Sequence, residues 1–324
     1  LFISIMAVVY WANTVAPLSA QQEEVVQQVL SRPLPELVTG KTGYAQSGDI
    51  KIWYEVKAPV ATSQPKGSVL LINGLGSSAI FWPTQIIKPL QEAGYQVIVS
   101  DHRGAGLSDW GEAEYDLSDL AKDNIAVLDS LGVEKANIIG LSLGGMVGQE
   151  LALNYPQRVS SLISVMSSGF SLDPEFPVYE SFQSEAIKLF VRFGLIPSEE
   201  NTLKMILGIY SLLKGLGEID AQHLALATLY ELRHRKGFNH QLANQQAKAI
   251  EVSGSRYERL PSLSVPTLIV HGELDPLVDI QSAKKYAALI PNSETLWLSG
   301  MGHGLVPSWT KIWMNRSLGF LDRH

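Results

Sequence analysis

The segment at residues 138–145, IIGLSLGG, constrains the fold of this chain more than any other. It joins a short apolar run, typical of a strand, to a segment whose apolar residues recur at helical spacing up to Leu153. Its centre has the form G-x-S-x-G, in which the serine occupies a sharp turn between strand and helix. Such a turn strains the serine backbone and requires small residues two positions before and after it. The pattern therefore predicts that Ser142 presents its hydroxyl at a sheet edge, beside a helix N-terminus.

Strand and helix signals alternate on both sides of this turn. Apolar runs at 68–73, 96–100 and 162–166 predict buried strands, and the segments 85–93 and 117–131 predict helices. More polar, alternating segments at 43–46 and 51–56 predict two antiparallel strands at the sheet edge. Strands that alternate with helices favour a mostly parallel sheet. The predicted fold class is α/β, with an eight-stranded, mostly parallel sheet flanked by helices.

The pattern changes between residues 171 and 254, where strand signals vanish and helical periodicity dominates. Strand signals return at 266–271 and 294–298, and the last segment, 309–321, predicts a helix. We therefore expect an α/β core at 43–170 and 255–324, with a helical cap at 171–254 inserted between the sixth and seventh strands. Because the cap begins just after a strand's carboxyl end, it is expected to overhang Ser142 as a lid. The alternative is a bundle that only packs on the core.

The beginning of the chain suggests a targeting segment. Residues 1–12 are almost wholly apolar, and residues 13–20 end in small side chains before a polar run. This pattern resembles the apolar region and cleavage site of a secretory signal, so residues 1–20 are predicted to be cut off after Ala20 in an exported protein. There are two alternatives. The segment could be a buried first helix of a cytoplasmic protein, or it could be an N-terminal anchor. The apolar run is too short to predict a stable membrane span. Residues 21–42 predict a short helix and a proline-containing linker.

Composition narrows the functional classes. The formal net charge of −7 gives no reason to expect binding of nucleic acid. The absence of cysteine excludes disulfides, thiolate metal sites and a cysteine nucleophile. The sequence shows neither a metal-binding cluster nor a dinucleotide fingerprint, so no cofactor is expected, and it carries no signal for an oligomeric state.

Two loops downstream of the turn supply partners for a serine nucleophile. A serine hydroxyl needs a nearby base, and that base needs an orienting carboxylate. Asp275 follows the predicted strand at 266–271, and His303 follows the next strand, at 294–298. The order Ser, Asp, His is the one known for nucleophiles on this kind of turn. We therefore predict a triad of Ser142, Asp275 and His303.

Other residues were candidates for the same roles. Glu273 and Asp279 are alternative carboxylates, although Asp279 is also placed to cap a helix. The remaining histidines are expected to be structural. His223, His234 and His240 are expected at the surface of the helical cap. His102 is expected to support Arg103, and His271 to make a local hydrogen bond at a strand end.

Acyl transfer also needs donors for the developing oxyanion. On this kind of turn one donor is the backbone N–H after the nucleophile, here that of Leu143. The other comes from the loop after the third strand, where Gly74 and Gly76 flank Leu75. The predicted oxyanion hole is therefore formed by the backbone amides of Leu75 and Leu143.

These motifs together resemble the α/β-hydrolase superfamily, from about Gly43 to Leu321. The segment 101–108, DHRGAGLS, matches the D-x-R-G-x-G-x-S loop of that family. Residues 241–248, running into 260–276, are similar to the aclacinomycin methylesterase and enol-lactonase-like group. One departure is Asn73-Gly74, where the family usually has His-Gly. The resemblance implies acyl transfer to water through an acyl-serine.

The predicted function is that of a serine hydrolase acting on a small carboxylic ester or lactone. A cofactor-free perhydrolase or a carbon–carbon bond hydrolase on the same triad is the alternative, and a non-catalytic binding protein is a further one. Apolar residues of the cap are candidates for an acyl pocket, or else for ordinary packing. They are Leu189, Phe190, Phe193, Met205, Ile206, Ile209, Tyr210 and Leu212.

Overall fold

The computed structural model describes residues 11–60, 64–111 and 114–324, so the first half of the predicted signal segment lies outside the described residues. Its centre is one sheet of eight strands. The strands are β1 (Lys41–Ser47), β2 (Ile50–Lys57), β3 (Gly67–Ile72), β4 (Tyr95–Ser100), β5 (Ala136–Leu141), β6 (Val159–Val165), β7 (Thr267–Gly272) and β8 (Glu294–Leu298).

The strands are arranged in the order β1-β2-β4-β3-β5-β6-β7-β8. The pairs β1–β2 and β2–β4 are antiparallel, and the remaining neighbours run parallel. This confirms the predicted α/β fold with an eight-stranded, mostly parallel sheet. Because parallel strands end at the same edge, the loops after β3, β5, β7 and β8 gather there.

Helices surround this sheet. They are α1 (Ala20–Ser31), α2 (Thr84–Glu92), α3 (Leu117–Ser130), α4 (Leu143–Asn154), α5 (Glu180–Leu189), α6 (Glu199–Leu213), α7 (Ala221–His234), α8 (His240–Ser253), α9 (Ile280–Leu289) and α10 (Pro307–Leu321). Helices α3, α4 and α9 pack on one face of the sheet, and α2 and α10 pack on the other. Within β3, Leu70 belongs to the first core and Leu71 to the second, as the alternation of side chains along a strand requires.

Helices α5 to α8, here called the helical block, lie between β6 and β7 in the chain. Helix α1 packs against this block through Val26 and Val29, which meet buried leucines of α6 and α7 in a third apolar cluster. Among the residues that the structure describes, no helix has both the length and the apolarity needed to cross a bilayer.

The segment before α1 is ordered against the same block. Ala12 and Val15 are buried, and Ser19 caps α1 in a reciprocal capping box with Gln22. The predicted cleavage point after Ala20 therefore falls at the first residue of a capped helix. Export of the protein stays a prediction.

Candidate active site

The turn at Ser142 has the geometry that its sequence predicts. Ser142 joins β5 to α4 with a φ of +52°, a left-handed conformation that costs energy for a residue with a side chain. A Cβ at Gly140 would lie 2.2 Å from the Gly144 carbonyl oxygen, and one at Gly144 would lie 2.1 Å from the Ile72 carbonyl oxygen. Both contacts are with backbone, so only glycine fits at these two positions. The Ser142 carbonyl is fixed by the Ser167 hydroxyl, which donates to it at 2.7 Å.

The structure brings Asp275 and His303 together. The loop after β7 carries Asp275, the loop after β8 carries His303, and His303 Nδ1 lies 2.6 Å from Asp275 Oδ2. The other carboxylate oxygen, Oδ1, accepts hydrogen bonds from the backbone amides of Leu277 and Val278 at 2.9 and 2.8 Å. These contacts fix the carboxylate, so Nδ1 of the His303 ring faces Asp275 and Nε2 faces away from it.

Asp275 is held in its ionised form. Burial alone raises the pKa of a carboxyl group, but His303 and His271 outweigh it and lower the pKa of Asp275 well below its usual range. His271 Nε2 lies 2.8 Å from the Val278 carbonyl oxygen and 3.3 Å from Asp275 Oδ2. A carbonyl oxygen only accepts, so this nitrogen carries a proton. His271 therefore supports Asp275, a contact that its position at a strand end did not reveal.

Two backbone amides beside Ser142 have no hydrogen-bond partner within the described part of the chain, those of Leu75 and Leu143. Leu143 is the first residue of α4, where amides point out of the helix. Leu75 lies in the loop after β3, and a Cβ placed at Gly74 would be 3.6 Å from Ser142 Cβ. Both predicted oxyanion donors thus lie next to the serine.

A cavity of about 510 Å³ opens at this edge of the sheet. Ser142, His303, Leu75 and Leu143 all line it. No hydrogen bond joins Ser142 Oγ to His303 among the described residues, and such bonds often form only when substrate is bound. Among the described residues that line this cavity there is no Lys or Arg, and Asp220 is the one carboxylate. The volume and apolar lining are typical of a site for a small molecule.

The helical block supplies much of the apolar lining, although several of the predicted residues are absent from it. Three predicted residues line the cavity: Ile206, Ile209 and Tyr210. The lining of this cavity does not include five others: Leu189, Phe190, Phe193, Met205 and Leu212. Their places are taken by residues that the sequence did not single out, among them Val178, Phe182, Leu213, Leu224, Phe238 and Ile250. Helical periodicity identifies an apolar face but not which apolar face meets the cavity.

Two histidines differ from their expected surroundings. His102 does not support Arg103; its Nε2 donates to the Asn73 carbonyl at 3.0 Å, while Arg103 pairs with Asp123. His223 is half-buried and lines the cavity, with Nε2 3.1 Å from the Phe81 carbonyl, so the expected surface position is wrong. The alternative carboxylate Asp279 caps α9 by accepting from the Gln281 amide at 2.7 Å, as its sequence position suggested. Among the described residues, no three His, Asp or Glu side chains are arranged so that they could hold a metal ion.

Comparisons with known proteins agree with this architecture. A family model described as the alpha/beta hydrolase fold matches residues 67–307. A rhodomycin D methylesterase from Streptomyces sp. strain C5 is 28% identical over 254 residues, which span 73% of this chain and 85% of the relative.

A 2-hydroxy-6-oxononadienedioate/2-hydroxy-6-oxononatrienedioate hydrolase from Klebsiella pneumoniae is 31% identical over 252 residues, or 74% of this chain and 81% of the relative. Among solved structures, an esterase from Exiguobacterium antarcticum superposes with a TM-score of 0.69 at 20% identity, covering 88% of this chain and 100% of the esterase. At that identity the superposition supports the fold alone. With the family model spanning most of its length, the chain belongs to the alpha/beta hydrolase fold family.

Proposed function

We propose that the protein is a serine hydrolase that cleaves an uncharged carboxylic ester or lactone through an acyl-serine intermediate. One observation carries the proposal. Ser142, an Asp275-bound His303 and two unpartnered backbone amides border the same apolar cavity. A binding protein would have no use for a strained serine, a charged and buried carboxylate and free amides at a single point.

In the first half of the reaction, His303 Nε2 removes the proton from Ser142 Oγ, which attacks the carbonyl carbon. The carbonyl electrons move to oxygen, and the amides of Leu75 and Leu143 donate to this oxyanion. Asp275 keeps Nδ1 of His303 protonated and stabilises the imidazolium. The intermediate then collapses, the bond to the alcohol oxygen breaks, and His303 returns its proton to that leaving group.

In the second half, water replaces the alcohol. His303 removes a proton from the water, whose oxygen attacks the acyl-serine, and the same amides bind the second oxyanion. Breakdown of this intermediate returns the proton to Ser142 Oγ and releases the carboxylic acid. For a lactone, the alcohol and the acid are parts of a single product.

The lining of the cavity supports an uncharged, apolar substrate. Side chains of the helical block cover much of the cavity, which is why we propose that the block acts as a lid over the acyl group. By its name, the Klebsiella relative is a hydrolase of a dioate, which is a dicarboxylate. Binding a dicarboxylate in an apolar cavity requires cationic partners, and the lining residues include no Lys or Arg. This argues against a dicarboxylate as the substrate of this protein.

The test is hydrolysis of p-nitrophenyl esters from acetate to laurate by the protein and by Ser142→Ala. We expect turnover by the protein and a loss of about 10⁴- to 10⁶-fold in kcat for the variant, as is found when a triad serine is removed. Ser130→Ala is the matched control, because it makes the same chemical change at an exposed position of α3. A protein that labels with a fluorophosphonate at Ser142 but cleaves no ester would contradict the ester proposal and point to another acyl substrate.

A further inference from the structure

The loop after β3, residues 73–79, is held in place by the helical block. This loop carries Leu75, the second proposed oxyanion donor, between Gly74 and Gly76. Gly76 adopts a φ of +72°. Because the loop's two glycines have no side chains, the backbone of the loop is conformationally free at these positions. A loop of this composition needs hydrogen bonds from outside to keep one shape.

The hydrogen bond nearest to Leu75 is made by a residue of α8. Gln246 is fully buried, and its Oε1 accepts a hydrogen bond from the Gly76 amide at 2.6 Å. The Gly76 nitrogen belongs to the peptide unit that directly follows the Leu75 Cα. Fixing this unit limits rotation at Leu75 and therefore the direction in which the Leu75 amide points.

The next two residues of the loop are tied to the other helices of the block. The Ser78 hydroxyl donates to Glu231 in α7 at 2.7 Å, and Ser77 interacts with the Tyr210 hydroxyl in α6. Three consecutive residues of the loop, Gly76 to Ser78, thus contact three different helices of the block.

A buried ion pair lies at the last residue of the loop, Ala79. Asp101 accepts a hydrogen bond from the Ala79 amide at 2.8 Å and pairs with Arg235 at the end of α7. The side chain of Arg235 is 1% exposed. Arg235 also lies 3.4 Å from Glu231 and over the ring of Trp53. The helical block is therefore anchored to the core directly beside the loop that it holds.

From these contacts we infer that Gln246 is a positioning residue for the oxyanion hole, an inference that rests on the proposed function. Through Gln246 the helical block sets the direction of the Leu75 amide, so the block contributes to the chemical step as well as covering the substrate. Gln246 is the most informative contact to remove, because it is neutral and touches the loop backbone. Removing Glu231 would break part of the buried network of ion pairs around Arg235 and endanger the fold.

The experiment compares Gln246→Met with Gln245→Met in the full chain. Methionine keeps the length and helix propensity of glutamine but lacks its carbonyl oxygen. Gln245 is its half-buried neighbour in α8, so Gln245→Met controls for the chemical change.

Two readouts are made for each variant. Hydrogen exchange of residues 73–79, measured without substrate, reports whether the loop is held, and we expect faster exchange only in Gln246→Met. On p-nitrophenyl butyrate, kcat of Gln246→Met should fall about 10- to 100-fold with KM little changed, since a donor used in the transition state is displaced. Melting temperatures confirm that each variant is folded.

Unchanged exchange in a folded Gln246→Met would overturn the inference, and so would a kcat equal to that of Gln245→Met. A loss confined to KM would also overturn it, because it would assign Gln246 to substrate binding. If the unsubstituted protein cleaves no ester while exchange still rises in Gln246→Met, the proposed function has failed but the positioning of the loop stands.

Discussion

At the scale of single residues, Asp275 shows how the site obtains its chemistry from a buried charge. Two backbone amides and two imidazoles surround this carboxylate. Asp275→Asn preserves the shape of the side chain but replaces one carboxylate oxygen by an amide nitrogen. Because this nitrogen donates a hydrogen bond, it can hold His303 in the tautomer whose Nδ1 carries no proton. We expect kcat to fall by about 10⁴-fold, the loss known for this change in a serine protease triad. Ester hydrolysis measures it, and a loss of tenfold or less would contradict the role given to Asp275.

The lowered pKa of Asp275 also has a consequence for stability. A carboxyl group whose pKa is lower in the folded than in the unfolded state stabilises the fold above the unfolded pKa, about 3.9 for Asp. That stabilisation is lost as the pH falls through the folded pKa. The free energy of unfolding of the protein should therefore exceed that of Asp275→Asn near pH 5, by an amount that shrinks below pH of about 4.

Urea unfolding at a series of pH values measures this difference. Asp129→Asn is the control, because it removes the same charge from an exposed carboxylate in α3. A difference that grows as the pH falls would mean that Asp275 does not gain its charge from folding, and would contradict the lowered pKa.

The residues of the site differ in how far the sequence reveals them. The placement of Ser142, Asp275 and His303 at one edge of the sheet was predictable, because each follows an apolar run and their order along the chain is restrictive. The contacts of Gln246 and His271 were not predictable, because a buried glutamine in an amphipathic helix and a histidine at a strand end have many structural explanations. Their contacts depend on how separate elements meet, which no local pattern records.

At the scale of elements, the turn around Ser142 depends on the absence of side chains. A Cβ at position 144 would meet the Ile72 and Asn73 carbonyl oxygens at 2.1 and 2.7 Å, and backbone atoms of a central strand have no room to move. Gly144→Ala should therefore destabilise the protein by at least about 1–3 kcal/mol, the usual cost of overpacking a core. Thermal unfolding measures the effect.

Gly319→Ala is the matched control for that change. Gly319 is exposed in α10, and a Cβ there meets no atom within 4 Å. The same substitution should stabilise this helix by up to about 0.5–1 kcal/mol, because alanine loses less conformational freedom than glycine. Equal effects at both positions would show that helix propensity, and not the close approach of backbones, decides the cost at Gly144.

The elements themselves were largely predictable, since each strand and helix carries the apolar periodicity of its type. The helices of the block illustrate the limit of that signal. All four helices fall within the predicted range 171–254, but only three of the eight proposed pocket residues line the cavity. Leu189 and Leu212 instead border the segment that precedes α1. An apolar face must be buried, and the sequence does not state against what.

At the scale of the whole molecule, the chain before β1 belongs structurally to the helical block. Gln22 in α1 donates to the Ser211 hydroxyl in α6 at 2.9 Å, and Glu23 pairs with Lys204 at 3.0 Å. Ahead of α1, Val15 is buried near α6. Since the block in turn holds the 73–79 loop, the N-terminal segment and the proposed oxyanion donor are joined through one set of helices.

This connection predicts the effect of shortening the chain. A variant that spans residues 21–324 lacks the Ser19 cap of α1 and the buried side chain of Val15, both of which the variant 11–324 retains. The shorter variant should be less stable by about 1 kcal/mol for the cap, with a further loss for the uncovered valine. Ser19→Ala in the 11–324 chain isolates the share of the cap. Thermal unfolding compares the three, and equal melting temperatures for 11–324 and 21–324 would show that residues 11–20 do not stabilise the block. A lower melting temperature together with a lower kcat for 21–324 would show that the stability of the N-terminal segment affects the active site through the helical block.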